Sequence, residues 1–190
     1  IYGVPADRLF ELVHTLFLDN VHDVGRQFGV LHIPLAEDCS IDIALPRRES
    51  KMQEGHKGFD IKSDPFLPLI DAVRRRDFTI NALLWDPITH ELIDLVRGQE
   101  DLAQKQLRVV DPLHFPEDPL RIYRTVQFAS RFGYEIESQS EKLLREMVFA
   151  GELETLSPER VTEELKKLFL QSPHPSVGME WMRRLGIIEH

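Results

Sequence analysis

The pattern of apolar and polar residues first predicts a helix and then strands. Apolar residues recur at helical spacing over residues 5–18, which predicts an amphipathic helix. Residues 21–33 are rich in β-branched and aromatic side chains and predict a strand, with a bend or bulge at Gly25 and Gly29. Residues 41–45 alternate between apolar and other side chains, which predicts a short strand that Pro46 ends.

The middle of the chain is less regular. Residues 50–68 combine Gly, Lys, Asp and Pro, and they predict a long loop. A helix is predicted from about Leu67 to the arginine run at 74–76, and a second helical stretch over 77–86. Three short elements are then predicted: a strand over 91–96, a helix over 100–106 and a strand over 107–111.

After Asp111 the pattern becomes helical throughout. Ser157 and Pro158 form a helix start signal, and glycines stand where helices should end. The change of pattern divides the chain near residue 112 into an α+β part and a helical part. The four helices are predicted over residues 116–132, 140–150, 157–170 and 177–186.

Composition narrows the class of protein. The 190 residues carry a net charge of −9, which excludes a uniformly basic nucleic-acid sleeve but allows a local basic patch. The sequence has no apolar run of the roughly 20 residues that a membrane span needs. Its first residues lack the pattern of a signal peptide, and its single cysteine suits a reducing compartment. We therefore expect a cytoplasmic protein that does not bind membranes.

Two segments of the first part carry candidate chemistry. Asp42 lies on a strand with one apolar face, where its carboxylate is either a ligand for a divalent metal or an ordinary solvated side chain. In the run RRRDFTIN, residues 74–81, Asp77 can cap the following helix. Arg75 and Arg76 either contact phosphates or a ribose, or form only a basic entrance to a capped helix.

The segment 117–124 offers more specific chemistry. Asp118, Arg121 and Arg124 lie near one face of the predicted helix. An ordinary surface ion pair between Asp118 and Arg121 is one explanation. The other is recognition of a nucleobase edge, because a carboxylate only accepts hydrogen bonds and a guanidinium only donates them. Cytosine and adenine present an amino donor beside a ring-nitrogen acceptor, whereas uracil and guanine present the reverse. An Asp–Arg pair can therefore select C and A.

Several stretches, in this order, resemble the tRNA nucleotidyltransferase family, which comprises class II CCA-adding enzymes and bacterial poly(A) polymerases. The combination of RRDFTINAL and EDPLR, followed by SPER, is highly specific. The matching stretches cover about residues 24–170 and are VGRQFGVLHI, IDIALPRRE, GHKGF, RRRDFTINAL, FPEDPLRIYRTVQFASRFGY and LSPERVTEELKKLF.

The resemblance implies an α+β fold with two domains. Residues 1–112 would form a nucleotidyltransferase-fold head, a mixed sheet with flanking helices, and residues 113–190 an all-helical neck. Asp77 would contact the ribose, Arg76 the phosphates or the base region, and Arg124 would lie near the triphosphate. Asp118 and Arg121 would select the base. The implied nucleotide-binding residues are Arg75, Arg76, Asp77, Asn81, Asp118, Arg121 and Arg124.

The resemblance also implies a metal-dependent catalytic centre. Asp42 falls where the family has its third catalytic carboxylate, so it would help to hold Mg²⁺ or to orient the attacking hydroxyl. The other two carboxylates, and a GGxVRD-like phosphate-binding turn, precede the matching residues in the family, and we expect the chain to begin just after them. Gln127 stands where many relatives have a further arginine, and residues 157–164 look like a brace behind the base-selecting helix.

The implied activity is addition of C and A to the 3′ end of tRNA without a nucleic-acid template, using CTP and ATP and releasing pyrophosphate. The residues 54–65 would form a mobile loop that helps to switch from C to A. Two alternatives stay open. One is a poly(A) polymerase, and the other is a non-catalytic nucleotide- or RNA-binding remnant. The pattern leaves the oligomeric state open.

Overall fold

The computed structural model describes residues 1–18, 21–22, 30–36, 39–51 and 59–189, with the backbone alone for 47–51 and 59–62. The chain packs as two compact units, Ile1–Ala72 and Val73–His190. No helix among these residues is both long and apolar enough to cross a membrane. The division near residue 112 into head and neck stays a prediction.

In the first unit a helix covers a β-hairpin. Helix α1 (Ala6–Phe17) buries Leu9, Phe10 and Val13, in agreement with the helical spacing of its apolar residues. Strands β1 (Val30–Ala36) and β2 (Cys39–Ala44) are antiparallel, and Leu31 and Ile33 of β1 join the same apolar cluster. The part of the predicted strand with Gly25 and Gly29 lies outside the described residues.

The second hairpin corrects the prediction of a loop over residues 50–68. Strands β3 (Arg47–Lys51) and β4 (Phe59–Ser63) pair antiparallel, with Arg47 opposite Ser63 and Lys51 opposite Phe59. Strand β3 contains no apolar residue, and β4 has only a short alternation of Phe59 and Ile61 with Asp60 and Lys62, so the Gly- and Pro-rich surroundings predict a loop. The ladder is held by backbone hydrogen bonds. The first part of the predicted mobile loop 54–65, residues 54–58, lies outside the described residues.

The second unit starts with short elements. After α2 (Leu69–Arg74) comes a single 3₁₀ turn, Thr79–Asn81, and then an antiparallel hairpin of β5 (Leu84–Asp86) and β6 (Glu91–Ile93). The helical stretch predicted over 77–86 is therefore wrong. The Thr79 N–H donates to the Arg108 carbonyl and the Val110 N–H to the Asp77 carbonyl, so pairing with a distant segment replaces the helical hydrogen bonds.

Helix α3 (Gly98–Ala103) confirms the short helix predicted over 100–106. The strand predicted over 107–111 is reduced to β7 (Gln106–Leu107), which pairs parallel with β8 (Glu135–Ile136). Farther along, Val109 forms an isolated bridge with Phe78. The predicted strand thus pairs with two different segments, residues 106–107 with β8 and Val109 with Phe78.

The four helices predicted after Asp111 are all present. They are α4 (Leu120–Phe132), α5 (Ser138–Phe149), α6 (Pro158–Gln171) and α7 (Pro175–Leu185). Gly133 and Gly186 end α4 and α7 with φ angles of +64° and +79°, which L side chains rarely adopt. Ser157 occupies the N-cap position of α6, but its side chain makes no capping hydrogen bond.

Helix α4 lies at the centre of the second unit. Ile122, Val126 and Ala129 are fully buried, and α6 and α7 both pack on this helix. A Cβ on Gly178 of α7 would stand 2.7 Å from Leu168 Cδ1 of α6, so only glycine allows this close approach. The described strands form three antiparallel pairs and one parallel pair, and together with the helices they confirm an α+β fold.

Candidate functional site

The candidate residues of the second unit meet at the start of α4. Arg121, in its first turn, is 11% exposed and donates from Nη1 to the carbonyls of His114 (2.8 Å) and Phe115 (3.3 Å). Its Nη2 donates to the carbonyl of Arg75 at 3.0 Å. This one side chain therefore fixes the arginine run and the 3₁₀ turn Phe115–Glu117 against α4.

Asp77 lies between two arginines of the same helix. Its carboxylate, 13% exposed, accepts a hydrogen bond from Arg124 Nε at 2.5 Å, and its other oxygen is 3.5 Å from Arg121 Nε. The predicted capping role of Asp77 is wrong. Phe78 occupies the N-cap position of the 3₁₀ turn, and the side chain of Asn81 accepts from the Phe78 N–H at 3.2 Å.

Burial of Phe78 holds this segment in place. Its ring is fully buried, with ring-centroid distances of 6.2 Å to Phe115 and 5.2 Å to Phe128. Because Phe78 directly follows Asp77, the core anchors the backbone that carries the doubly paired carboxylate. The position of Asp77 is therefore set before any ligand binds.

Asp118 pairs with a residue that sequence reasoning missed. Its carboxylate accepts from Arg160 Nη2 of α6 at 3.2 Å (Oδ1) and 2.9 Å (Oδ2), and its Oδ1 also accepts from the Leu120 N–H at 3.2 Å. The surface ion pair between Asp118 and Arg121 is absent among the described contacts, since Arg121 is turned to backbone carbonyls. The signal for Arg160 was present in the SPER stretch, which was interpreted only as a brace.

The other arginines of the run differ in their surroundings. Arg75 is half-buried, and its carbonyl accepts from Arg121. Arg76 is exposed, and its guanidinium donates to no group within the described part of the chain. Arg74 lies 3.8 Å from Asp111. The start of α4 thus combines two carboxylates with several guanidiniums, a positive surplus that suits a polyphosphate.

A buried polar network that no local pattern predicts packs against the segment 77–81. Thr79 donates to Asp101 at 2.6 Å, and Arg108 Nε donates to both oxygens of Asp101 at 3.1 Å. Arg108 also lies 3.4 Å from Glu137. A Cβ on Gly98 would stand 2.2 Å from the Thr79 carbonyl, so α3 approaches the segment as closely as glycine allows.

Glu137 is held in its charged form. Burial raises the pKa of its carboxyl, but the N–H groups of Gln139 and Ser140, the Ser140 hydroxyl and the charge of Arg108 together outweigh that effect. The pKa of Glu137 therefore lies below its usual value.

Gln127 has an unsatisfied polar group in the core. Its side chain is buried on α4, and its Nε2 has no hydrogen-bond partner among the described residues. An unpaired buried amide of this kind lowers the free energy of unfolding.

Asp42 lies in the first unit and is largely solvated. Its carboxylate is 71% exposed and lies 2.7 Å from Nδ1 of His32, the residue opposite it in the β1–β2 ladder. No group of three His, Cys, Asp or Glu side chains that could hold a metal occurs among the described residues. The described residues therefore do not by themselves fit a Mg²⁺ site, and the metal-ligating role of Asp42 stays a prediction.

Two family models match the chain. "Poly A polymerase head domain" covers residues 6–108, and "Probable RNA and SrmB-binding site of polymerase A" covers residues 133–190. Among curated relatives, a "Multifunctional CCA protein" of Neisseria gonorrhoeae is 38% identical over the whole chain and 46% of its own length. A "CCA-adding enzyme" of Marinobacter nauticus is 41% identical over 87% of the chain and 44% of its own length.

The chain is also similar to solved structures of a CCA-adding enzyme and a tRNA-processing enzyme. A CCA-adding enzyme in complex with ATP has a TM-score of 0.80 and 29% identity, over 100% of this chain and 41% of that one. A tRNA-processing enzyme with CTP has a TM-score of 0.76 at 29% identity, over 95% of this chain and 45% of that one. The chain thus spans less than half the length of these proteins.

Proposed function

This chain belongs to the family of tRNA nucleotidyltransferases and poly(A) polymerases that share the poly(A) polymerase head domain, and we propose that it selects CTP and ATP for addition to the 3′ end of tRNA. The observation that carries the proposal is the arrangement of Asp118, just before α4, and Arg121, in its first turn. One supplies an acceptor and the other a donor, which is the pair that the edges of cytosine and adenine require.

The hydrogen bonds of Arg121 support this role. A guanidinium has five N–H donors, and three of them point to backbone carbonyls. Those three contacts fix the plane of the group, while one Nη2 hydrogen stays available for a ring nitrogen of the base. Because the guanidinium is already ordered, binding a base costs little side-chain entropy.

Asp77 would bind the sugar of the nucleotide, and Arg124 would bind its phosphates. The Asp77 carboxylate accepts the ribose hydroxyl, and Arg124, which pairs with it at 2.5 Å, stays beside the triphosphate. The exposed Arg76 supplies a further cation for phosphate oxygens, Arg75 lines the same run, and Asn81 holds the turn closed. Charge-assisted hydrogen bonds of this type are stronger than neutral ones.

In the proposed reaction the 3′-hydroxyl oxygen of tRNA bonds to the α-phosphorus of CTP or ATP. The bond from that phosphorus to pyrophosphate breaks with its electron pair leaving on pyrophosphate, and the hydroxyl proton passes to solvent. Mg²⁺ is the cofactor that we propose, and it would supply Lewis-acid and charge-neutralising chemistry. Since the described residues do not fit a complete metal site, Asp42 is assigned only the orientation of the attacking hydroxyl. The reaction would take place in the cytoplasm, where tRNA matures.

Nucleotide binding to this chain tests the proposal without requiring catalysis. Isothermal titration with CTP, ATP, UTP and GTP should give tighter binding of CTP and ATP than of UTP and GTP. Asp118→Ala should remove that preference, and Glu154→Ala, a control at an exposed residue of the second unit, should retain it. Equal affinity of the wild-type chain for all four nucleotides would contradict the proposal.

A further inference from the structure

Arg160 of α6 makes the most extensive contact with the carboxylate of Asp118. Its Nη2 lies 3.2 Å from Oδ1 and 2.9 Å from Oδ2, so one nitrogen bridges both oxygens. The Leu120 N–H is the only other described donor, at 3.2 Å from Oδ1. The orientation of Asp118 is therefore set from two helices: α6 supplies the Arg160 contacts, and α4 supplies the Leu120 N–H.

These contacts limit what Asp118 can accept. An ionised carboxylate offers about four lone-pair sites, two on each oxygen. Leu120 and Arg160 occupy both sites on Oδ1, and Arg160 occupies one on Oδ2. One acceptor site then stays open, on Oδ2. A single exocyclic amino group can fill it, whereas a carbonyl oxygen of uracil or guanine would face the same negative charge.

We propose that Arg160 is a positioning residue that determines base choice, because it fixes the orientation of the Asp118 carboxylate and leaves one acceptor for the amino group of C or A. The inference rests on the proposed function and deepens it. Arg160 itself need not touch the base. Without it, the carboxylate keeps only the Leu120 contact and can rotate to meet either type of base edge.

The test compares Arg160→Gln with a matched control on another helix. Arg184 of α7 makes the same type of contact, with Nη2 at 3.2 and 3.0 Å from the two oxygens of Glu141. Both ion pairs are partly exposed and lie in the second unit. Arg184 also lies over the Trp181 ring, 4.0 Å from its centroid, so Arg184→Gln gives an upper bound on the effect of losing such an ion pair on stability.

The measured quantity is the ratio of affinities for CTP over UTP and for ATP over GTP, by isothermal titration of the whole chain. In Arg160→Gln both ratios should fall about tenfold, the effect of losing one charge-assisted hydrogen bond. Arg184→Gln should keep the ratios of the wild type. In the background of Asp118→Asn, adding Arg160→Gln should change the ratios no further, because Arg160 acts through Asp118.

The experiment distinguishes failure of the proposed function from failure of the role of Arg160. If the wild type itself shows no preference, the proposed function fails and this inference fails with it. If the wild type prefers CTP and ATP and Arg160→Gln retains the preference, only the role of Arg160 is refuted. Should Arg160→Gln fail to fold, Arg160→Lys keeps the charge but not the planar group. It should lower the ratios by a smaller factor, and unchanged ratios would overturn the proposal.

Discussion

The paired carboxylate of Asp77 should be a major source of stability in the second unit. Replacing it by Asn keeps an oxygen that can accept from Arg124 but removes the negative charge. Two guanidiniums, one of them 11% exposed, then lose their counter-charge. Breaking a fully buried pair costs about 3–5 kcal/mol, and an exposed pair contributes at most about 1 kcal/mol. Since Arg124 is one-third exposed, we expect a loss of about 2 kcal/mol between these limits.

The chain offers both a probe and a control for this experiment. Its two tryptophans, Trp85 and Trp181, lie in the second unit, so tryptophan fluorescence follows the unfolding of that unit. Asp111 is the control, because it is nearly as buried as Asp77 but lies 3.8 Å from a half-exposed Arg74. Asn at 111 can still accept from the Leu113 N–H.

Thermal unfolding should separate the two variants. For a chain of this size 1 kcal/mol corresponds to about 2–4 °C, so Asp77→Asn should lower the melting temperature by about 4–8 °C. Asp111→Asn should lower it by less than about half as much. Equal shifts for the two variants would refute the reasoning, since they would show that the double pairing of Asp77 contributes nothing beyond an ordinary ion pair.

Further predictions follow from other residues of the second unit. Gly98→Ala should lower the free energy of unfolding by about 1–3 kcal/mol, because its Cβ would overlap the Thr79 carbonyl, and urea unfolding measures this. Gln127→Met should raise it by about 1 kcal/mol in the same assay, because it removes a buried Nε2 without a described partner; a destabilised variant would contradict this. The pKa of Glu137 is lowered in the folded state, so its contribution to stability is present above the unfolded pKa of about 4.5 and is lost as the pH falls through the folded value. Unfolding midpoints between pH 6 and pH 3 should therefore depend less on pH in Glu137→Gln than in the wild type. Asp42→Ala in a longer, active protein should reduce turnover with little change in nucleotide affinity, and unchanged turnover would remove Asp42 from the reaction.

The helical elements were predictable because local signals agree with the final packing. Helices α4 to α7 have regular apolar spacing, which their buried faces confirm, and α4, α5 and α7 end at or near glycines. The segment 77–86 was predicted incorrectly because its backbone pairs with residues 108–110, far away in sequence. The β3–β4 hairpin is not predictable from the pattern, because β3 has no apolar residue and the alternation in β4 spans only Phe59 to Lys62.

In the candidate site, too, contacts between residues far apart in sequence were not predictable from local patterns. Residue types and spacing identified Asp77, Asp118, Arg121 and Arg124, but they could not assign ion-pair partners. Spacing along one helix suggested a pair between Asp118 and Arg121, whereas the fold brings Arg160 to Asp118 from a helix 42 positions away. Likewise Thr79 and Asp101 form a buried hydrogen bond across 22 positions. Contacts between elements depend on tertiary packing, which no local pattern encodes.

The most direct test of the central claim is extension of a tRNA that lacks its 3′ CCA, using a longer protein that contains this chain, with products resolved to single nucleotides. Two additions with CTP alone and a third only when ATP is also present are the predicted result. A stop after two C residues would restrict the activity to C addition, and a long ladder with ATP alone would instead indicate a poly(A) polymerase. Absence of any extension, with CTP and ATP bound no tighter than UTP and GTP, would contradict the account.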